Sequence, residues 1–199
     1  MPHASAPLSL KLYARRDMRL FLTLSILVLC SCVAIPRGSY YYPTHPLGEA
    51  KSGTCDKNSN KITLEIPLEK GIRIGSSLRS NIDGTSTLSV HILLPEKTRI
   101  VLTSNNIIFQ SKNAAPETYA IKEWKDKTLI GEKIIHIYRG TEFVYDKSFG
   151  TELLMSKLNS NDYNLTLPEM IIDGSKVKLD PIVFRLRTGE VQWLPKLNC

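Results

Sequence analysis

The chain has 199 residues, with 26 lysines and arginines against 19 aspartates and glutamates, a formal charge of +7. The excess is spread along the chain and not gathered into a basic stripe, which argues against nucleic acid as a partner. The length suits one domain with a hydrophobic core of its own.

The first predicted element is apolar. Leu20 to Leu29 is a run of about ten residues behind Arg15, Arg16 and Arg19, the size and charge layout of a secretory signal. A transmembrane helix needs roughly 20 apolar residues, and this run is about half that before the chain reaches Pro36-Arg37-Gly38. Met18, directly before Arg19, would open a more compact signal.

At the end of the run stands Leu29-Cys30-Ser31-Cys32, which resembles the lipobox of bacterial lipoprotein precursors: an aliphatic residue, a tolerant position, a small residue and then the cysteine. The resemblance implies that residues 1–31 are removed. Cys32 then becomes the first residue of the mature chain and carries the lipid, a diacylglycerol and a palmitate. Cys30 fits less well, because bulky Leu29 precedes it where the pattern has a small residue. Several acyl chains hold a protein durably on a membrane, whereas one holds it marginally. Val33 is not the aspartate that retains lipoproteins of this family at the inner membrane, so the implied location is the outer membrane, facing the periplasm. The resemblance is confined to the targeting segment.

Processing at Cys32 leaves about 168 residues with 22 basic and 18 acidic groups, a charge near +4. Such a charge keeps a domain soluble. With Cys30 removed and Cys32 lipidated, Cys55 and Cys199 remain, in a compartment that permits disulfides. They are expected to pair, which would constrain the unfolded chain by about 3–5 kcal/mol. The other reading leaves Cys55 buried as a thiol and Cys199 frayed.

Residues 32–53 read as a lipidated N-terminus and flexible tether, rich in proline and glycine and without an apolar period. Tyr40-Tyr41-Tyr42 is its one distinctive feature. Three phenols suit stacking on a sugar or lying among lipid headgroups; alternatively one or two of them cover an edge of the domain.

From Lys61 the pattern has period two. Ile62, Leu64 and Ile66 alternate with polar residues, Ile72 and Ile74 flank Arg73, and Leu88, Val90, Ile92 and Leu94 alternate with Ser89, His91 and Leu93. Further strands are predicted at 98–103, 107–110, 133–139, 141–145, 163–167, 170–172, 176–179 and 182–187. Turn residues separate them at Glu69-Lys70-Gly71, Asp83-Gly84, Pro95-Glu96-Lys97, Ser104-Asn105-Asn106 and Asp173-Gly174. Residues 54–199 are therefore expected to form an all-β antiparallel sandwich, immunoglobulin-like or related. Within 114–127 two readings stand open: one short helix or an excursion between sheets, where Pro116 suits a first helical turn, or a strand, since Thr118 to Trp124 can also alternate. Pro168 and Pro181 mark sheet edges or corners.

The chemistry-bearing residues are sparse. His91 and His136 lie in predicted strands and could meet across a sheet, but neither has ligand spacing around it. Ser175-Lys176-Val177-Lys178 matches a Ser-x-x-Lys pattern, yet on a strand residues three apart face opposite sides. Glu117, Glu123, Asp126, Glu132, Glu142 and Asp146 cluster in sequence, interleaved with lysines and arginines, the mark of a solvated mixed-charge surface. No catalytic residue, metal ligand or cofactor is assigned.

Tyr40, Tyr41, Tyr42 and Trp124 are the candidate binding residues. The expected function is binding or structural support in the bacterial cell envelope, with the membrane, an envelope protein or a glycan as partner. A hydrolase using carboxylates near Trp124, or His91 with His136, is the alternative from another class. An inhibitor or small chaperone presenting an exposed strand edge is the third. Intact-mass measurement on protein from detergent-solubilised membranes is expected to find a chain beginning at acylated Cys32, with Cys55 and Cys199 open to alkylation only after reduction. An unacylated chain with free thiols would sink both expectations.

Overall fold

The computed structural model describes residues 33–35, 38–52, 61–112, 114–189 and 192–194. Among them the regular structure is antiparallel β, with two short 3₁₀ turns, Glu69–Gly71 and Lys122–Trp124, and no α-helix. Strand β1 (Val33–Ile35) and the last strand, β17 (Gln192–Leu194), form a separate two-stranded ribbon with Ala34 opposite Trp193. The expectations for residues 1–31 and for Cys32, Cys55 and Cys199 lie outside the described residues.

The remaining strands build an antiparallel sandwich that is not closed into a barrel. One layer is a six-stranded sheet in the order β3 (Glu49–Ser52), β4 (Lys61–Pro67), β5 (Arg73–Ser80), β6 (Ser86–Leu94), β12 (Thr141–Met155), β11 (Lys133–Tyr138). A five-stranded sheet runs β2 (Ser39–Thr44), β16 (Ile182–Thr188), β13 (Asp162–Thr166), β8 (Asn106–Ser111), β9 (Glu117–Ala120). A four-stranded sheet runs β10 (Thr128–Ile130), β7 (Arg99–Leu102), β14 (Met170–Ile172), β15 (Ser175–Val177). The two smaller sheets are one ladder bent at a corner: β7 pairs with β14 and β8 with β13, on either side of residues 103–105 and 167–169. The Thr103 N–H and hydroxyl both donate to the Glu169 carbonyl at the bend, at 2.9 and 3.1 Å.

The period-two pattern is what buries one side of each strand. In β6 the residues Leu88, Val90, Ile92 and Leu94 point inward while His91 and its alternates are only half-covered. Leu64, Ile66, Ile74 and Leu78 complete that wall, and Ile100, Leu102, Ile107, Phe109, Leu165, Met170 and Phe184 answer from the facing layers. Each such side chain withdrawn from water contributes about 1.5–3 kcal/mol. Sequence turns fall between strands as expected, with positive φ at Lys70, Gly84, Lys97 and Asp173. Two of them differ in kind. Pro95-Glu96-Lys97 crosses between sheets and Ser104-Asn105-Asn106 is the corner, so neither closes a hairpin.

One expectation is corrected and one open reading is decided. The stretch read as a tether contains β2 and β3: β2 runs antiparallel to β16, Tyr42 opposite Arg185, and Tyr41 is 4% exposed in the core. Pro43 had argued against a strand, but β2 is a sheet edge, where a missing N–H costs no ladder bond. Within 114–127 the chain makes strand β9 and one 3₁₀ turn, with no longer helix.

One packing detail holds the large sheet together. Gly75, His91 and Gly150 stand abreast on β5, β6 and β12. A Cβ on Gly150 would lie 2.2 Å from the Val90 carbonyl oxygen and 2.6 Å from the His91 Cα, both backbone atoms. Gly150→Ala should therefore lower stability by about 1–3 kcal/mol, read as a reduced midpoint in urea unfolding; an unchanged midpoint would show that β12 shifts freely against β6.

Candidate functional site

Strand β12 is longer than its support. Its residues from Lys147 to Met155 pair with β6, and that pairing ends at Lys147 opposite Leu94, just before Pro95. The segment from Thr141 to Asp146 continues past the end of β6 and pairs with β11. Arg139 and Gly140 close this hairpin with φ of 47° and 78°. Two central residues with positive φ make the turn whose twist matches a two-stranded ribbon, and glycine supplies the second without strain.

The result is an arm exposed along its length. Every residue of β11 is exposed, as are residues 141–145 of β12. Cross-strand partners share a face, so the register assigns the side chains. One face carries Ile134 opposite Tyr145, His136 opposite Phe143 and Tyr138 opposite Thr141; the other carries Ile135 opposite Val144 and Ile137 opposite Glu142. Ile137 is 70% exposed and Ile135 60%. On the aromatic face Phe143 and Tyr145 stack, ring centres 6.3 Å apart and 7° from parallel. The Arg139 guanidinium lies 5.4 Å over the Tyr138 ring at the tip.

Charges mark the root of the arm. Lys133 pairs with Asp146 at 2.6 Å, Lys147 with Glu132 at 2.9 Å, and Arg73 reaches Asp146 at 4.0 Å. The acidic cluster of the sequence is thus partly engaged: beside Glu132 and Asp146 on these cations, Glu117 accepts from the Tyr119 hydroxyl, and Glu123 accepts from the Gly150 N–H at 2.5 Å.

The candidate residues from sequence separate. Trp124 is fully buried, its indole N–H donating to the Phe149 carbonyl at 3.2 Å, so it is a core residue and not a binding one. Tyr41 donates to the Ser160 carbonyl at 2.9 Å, and burial, with Tyr163 adjacent, pushes its hydroxyl pKa up to about 12. Tyr40 and Tyr42 are half-buried, and the Arg187 guanidinium covers the Tyr42 ring at 3.7 Å. The tyrosine run is therefore an edge strand with one anchor in the core.

His91 and His136 do not meet. His91 faces Gly150 and His136 faces Phe143, seven residues apart along β12, or roughly 24 Å of strand. His91 instead lines a shallow cleft of about 430 Å³ with Ser89, Glu123, Ser148 and Glu152. The arm was missed as a site because its apolar runs read as buried strand. The only available signal was that residues of both parities, Ile134, Ile135 and Ile137, are apolar.

Comparison with protein-family models, curated proteins and solved structures finds no match to this chain.

Two histidines give the domain a pH dependence. Burial lowers the pKa of His91 below the ordinary 6.5, with Glu65 opposing and Arg73 adding to the shift. Burial likewise lowers that of His45, against the neighbouring Asp180. The unfolded chain therefore takes up protons first, so the histidine contribution to stability is intact above about pH 6.5 and lost as pH falls through that value toward the lower folded-state values. Urea unfolding should show falling stability from pH 7 to pH 5, with a smaller fall in His91→Gln; an identical slope in the variant would remove His91 from the account.

Proposed function

We propose that the protein is a lipid-anchored β-sandwich of the bacterial outer membrane, facing the periplasm, that binds a partner within the envelope and performs no catalysis. The observation that carries this reading is the β11–β12 arm. Seven large apolar side chains, each roughly half exposed, add up to an area on the order of the ~800 Å² per partner that specific interfaces bury. The seven divide between the two faces of the ribbon, four on the face of Ile134 and three on that of Ile135, so each face offers about half of that area, which is still apolar surface of an extent that marks interaction sites. The open edge of β11 adds a second mode of recognition, since an extended segment can join the sheet by main-chain hydrogen bonds. Binding, envelope support and an inhibitor or chaperone role on a strand edge all converge on this element. The anchor is supported by the lipobox-like Leu29-Cys30-Ser31-Cys32.

The alternative, a hydrolase acting on glycan or peptide, rests on the cleft that gathers His91, Glu123 and Glu152. Glu123 is already engaged by the Gly150 N–H, and the acid and base that hydrolysis requires must both address one substrate position. The arm has no place in that reading.

Cys32→Ser should move the chain from the membrane to the soluble periplasmic fraction. Phe143→Ser with Tyr145→Ser should abolish arm-directed photo-crosslinks in the envelope while leaving unfolding stability within about 0.5 kcal/mol, as expected for exposed positions. A purified chain that cleaves peptidoglycan or peptide, and stops doing so on Glu152→Gln, would displace this reading in favour of the hydrolase.

A further inference from the structure

Setting aside the β1–β17 ribbon, six edges bound the three sheets of the sandwich among the described residues, and five of them are blunted. Strand β2 carries Pro43 next to its last residue, β3 is four residues long with a register shift at Lys51 and Ser52, and β9 is four residues long directly after Pro116. Strands β10 and β15 have three residues each. Short edges, proline and bulges are the devices by which proteins prevent sheet-to-sheet pairing. Strand β11 has none of these three, and the charge at its root, Lys133, is paired with Asp146. It presents six residues, Lys-Ile-Ile-His-Ile-Tyr, without proline or bulge.

We infer that β11 is the surface through which a second copy of this chain binds, the two β11 strands running antiparallel about a two-fold axis at Ile135. The inference rests on the reading of the arm as the binding element and names its partner.

The register follows from the turn. In a two-residue hairpin loop the flanking residues, here Tyr138 and Thr141, form a hydrogen-bonded pair. Alternation then turns the backbone groups of Tyr138, His136 and Ile134 toward β12 and those of Lys133, Ile135 and Ile137 toward the open edge. Pairing about a two-fold axis is isologous, and opposed side chains must share a face. The register that uses all three outward residues of both copies puts Ile135 against Ile135 and Lys133 against Ile137, with about six new main-chain hydrogen bonds.

That register is complementary in side chains as well. It extends Val144–Ile135 across the axis into an unbroken aliphatic row of four on one face. On the other face it places Ile134 of each copy beside His136 of the other, flanked by Tyr145 and Phe143. No like charges stand directly opposite, a juxtaposition that would be unfavourable. Hydrocarbon is a poorer occupant: a ribbon with open edges leaves backbone groups unsatisfied in a bilayer, and a spanning strand needs about 9–11 residues, against six here.

The test uses the full chain in bacterial membranes. Ile134 and His136 of the other copy would form a non-hydrogen-bonded pair with Cα atoms about 4.5 Å apart, inside the range a disulfide spans. A chain carrying both Ile134→Cys and His136→Cys should give, on mild oxidation, a reducible band of twice the chain mass that is absent from the parent chain with its own cysteines. Adding Ile135→Lys, which sets two ammonium groups face to face, should reduce the band at least tenfold. Adding Ile82→Lys, at the fully exposed β5–β6 turn, should not.

Light scattering of the detergent-solubilised parent chain should give a dimer whose melting temperature rises with protein concentration, and of Ile135→Lys a monomer that still unfolds cooperatively but at a temperature independent of concentration. A monomeric parent chain, together with no reducible band from the double-cysteine chain, would overturn the inference, as would a band indifferent to Ile135→Lys. Arm-directed photo-crosslinks to other envelope components without self-crosslinking would also overturn it while leaving the arm as the binding element.

Discussion

The constraint on which this molecule turns is a mismatch of length between neighbouring strands. Strand β12 has fifteen residues and β6 has nine, and their ladder stops at Lys147 opposite Leu94. Pro95 follows Leu94 directly and β6 goes no further. Up to that point β12 is a sandwich strand, with Met155 buried and Phe149 and Leu153 packed on the core. Beyond it the chain has only its own hairpin partner, and a two-stranded ribbon is marginal by itself in water. The root compensates locally: the Lys133–Asp146 and Lys147–Glu132 pairs, each worth at most about 1 kcal/mol at such exposure, clasp the ribbon where it leaves the sheet. The Trp124 indole, bonded to the Phe149 carbonyl, fixes β12 just inside that point.

Much of the sandwich was legible because a strand buried on one face writes its burial into every second residue. The alternation at 62–66 and 88–94, and the turn residues at Asp83-Gly84 and Asp173-Gly174, marked strands and reversals where they occur. Where local pattern and long-range partner disagree, the reading failed. Pro43 speaks locally against a strand, yet an edge position removes the penalty. Residues 146–155 contain Gly150 and four charged or hydroxyl residues by position 151, so they lacked alternation; what makes them a strand is nine residues of β6 alongside. Ile134-Ile135 and Phe143-Val144-Tyr145 are apolar on both faces, the pattern of a strand covered on both sides. Whether such a strand is covered depends on which neighbour ends first, and no local property of the arm encodes that.

Trp124 shows the opposite error. Large aromatics are attractive binding candidates because one end is apolar and the other polar. The same property suits a core position beside an unpaired carbonyl, and the sequence contains nothing to separate the two. The Phe149 carbonyl 25 residues away decides it. The tyrosine run resolves by the same physics: a strand's alternation sends Tyr41 inward and leaves Tyr40 and Tyr42 on the rim.

An apolar ribbon held in water contributes little to the stability of the domain that bears it, because its side chains withdraw almost no surface on folding. Its residues are therefore free of the packing demands that fix the core. Ile135 can be exchanged at slight cost to the fold, while Leu88 or Ile92 cannot. That freedom leaves the composition of the arm unconstrained by the sandwich. The proposed anchor at Cys32 adds to the same economy. Molecules confined to one membrane surface meet at a far higher effective concentration than in free solution, so an edge of six residues that pairs in detergent would pair more completely on a membrane.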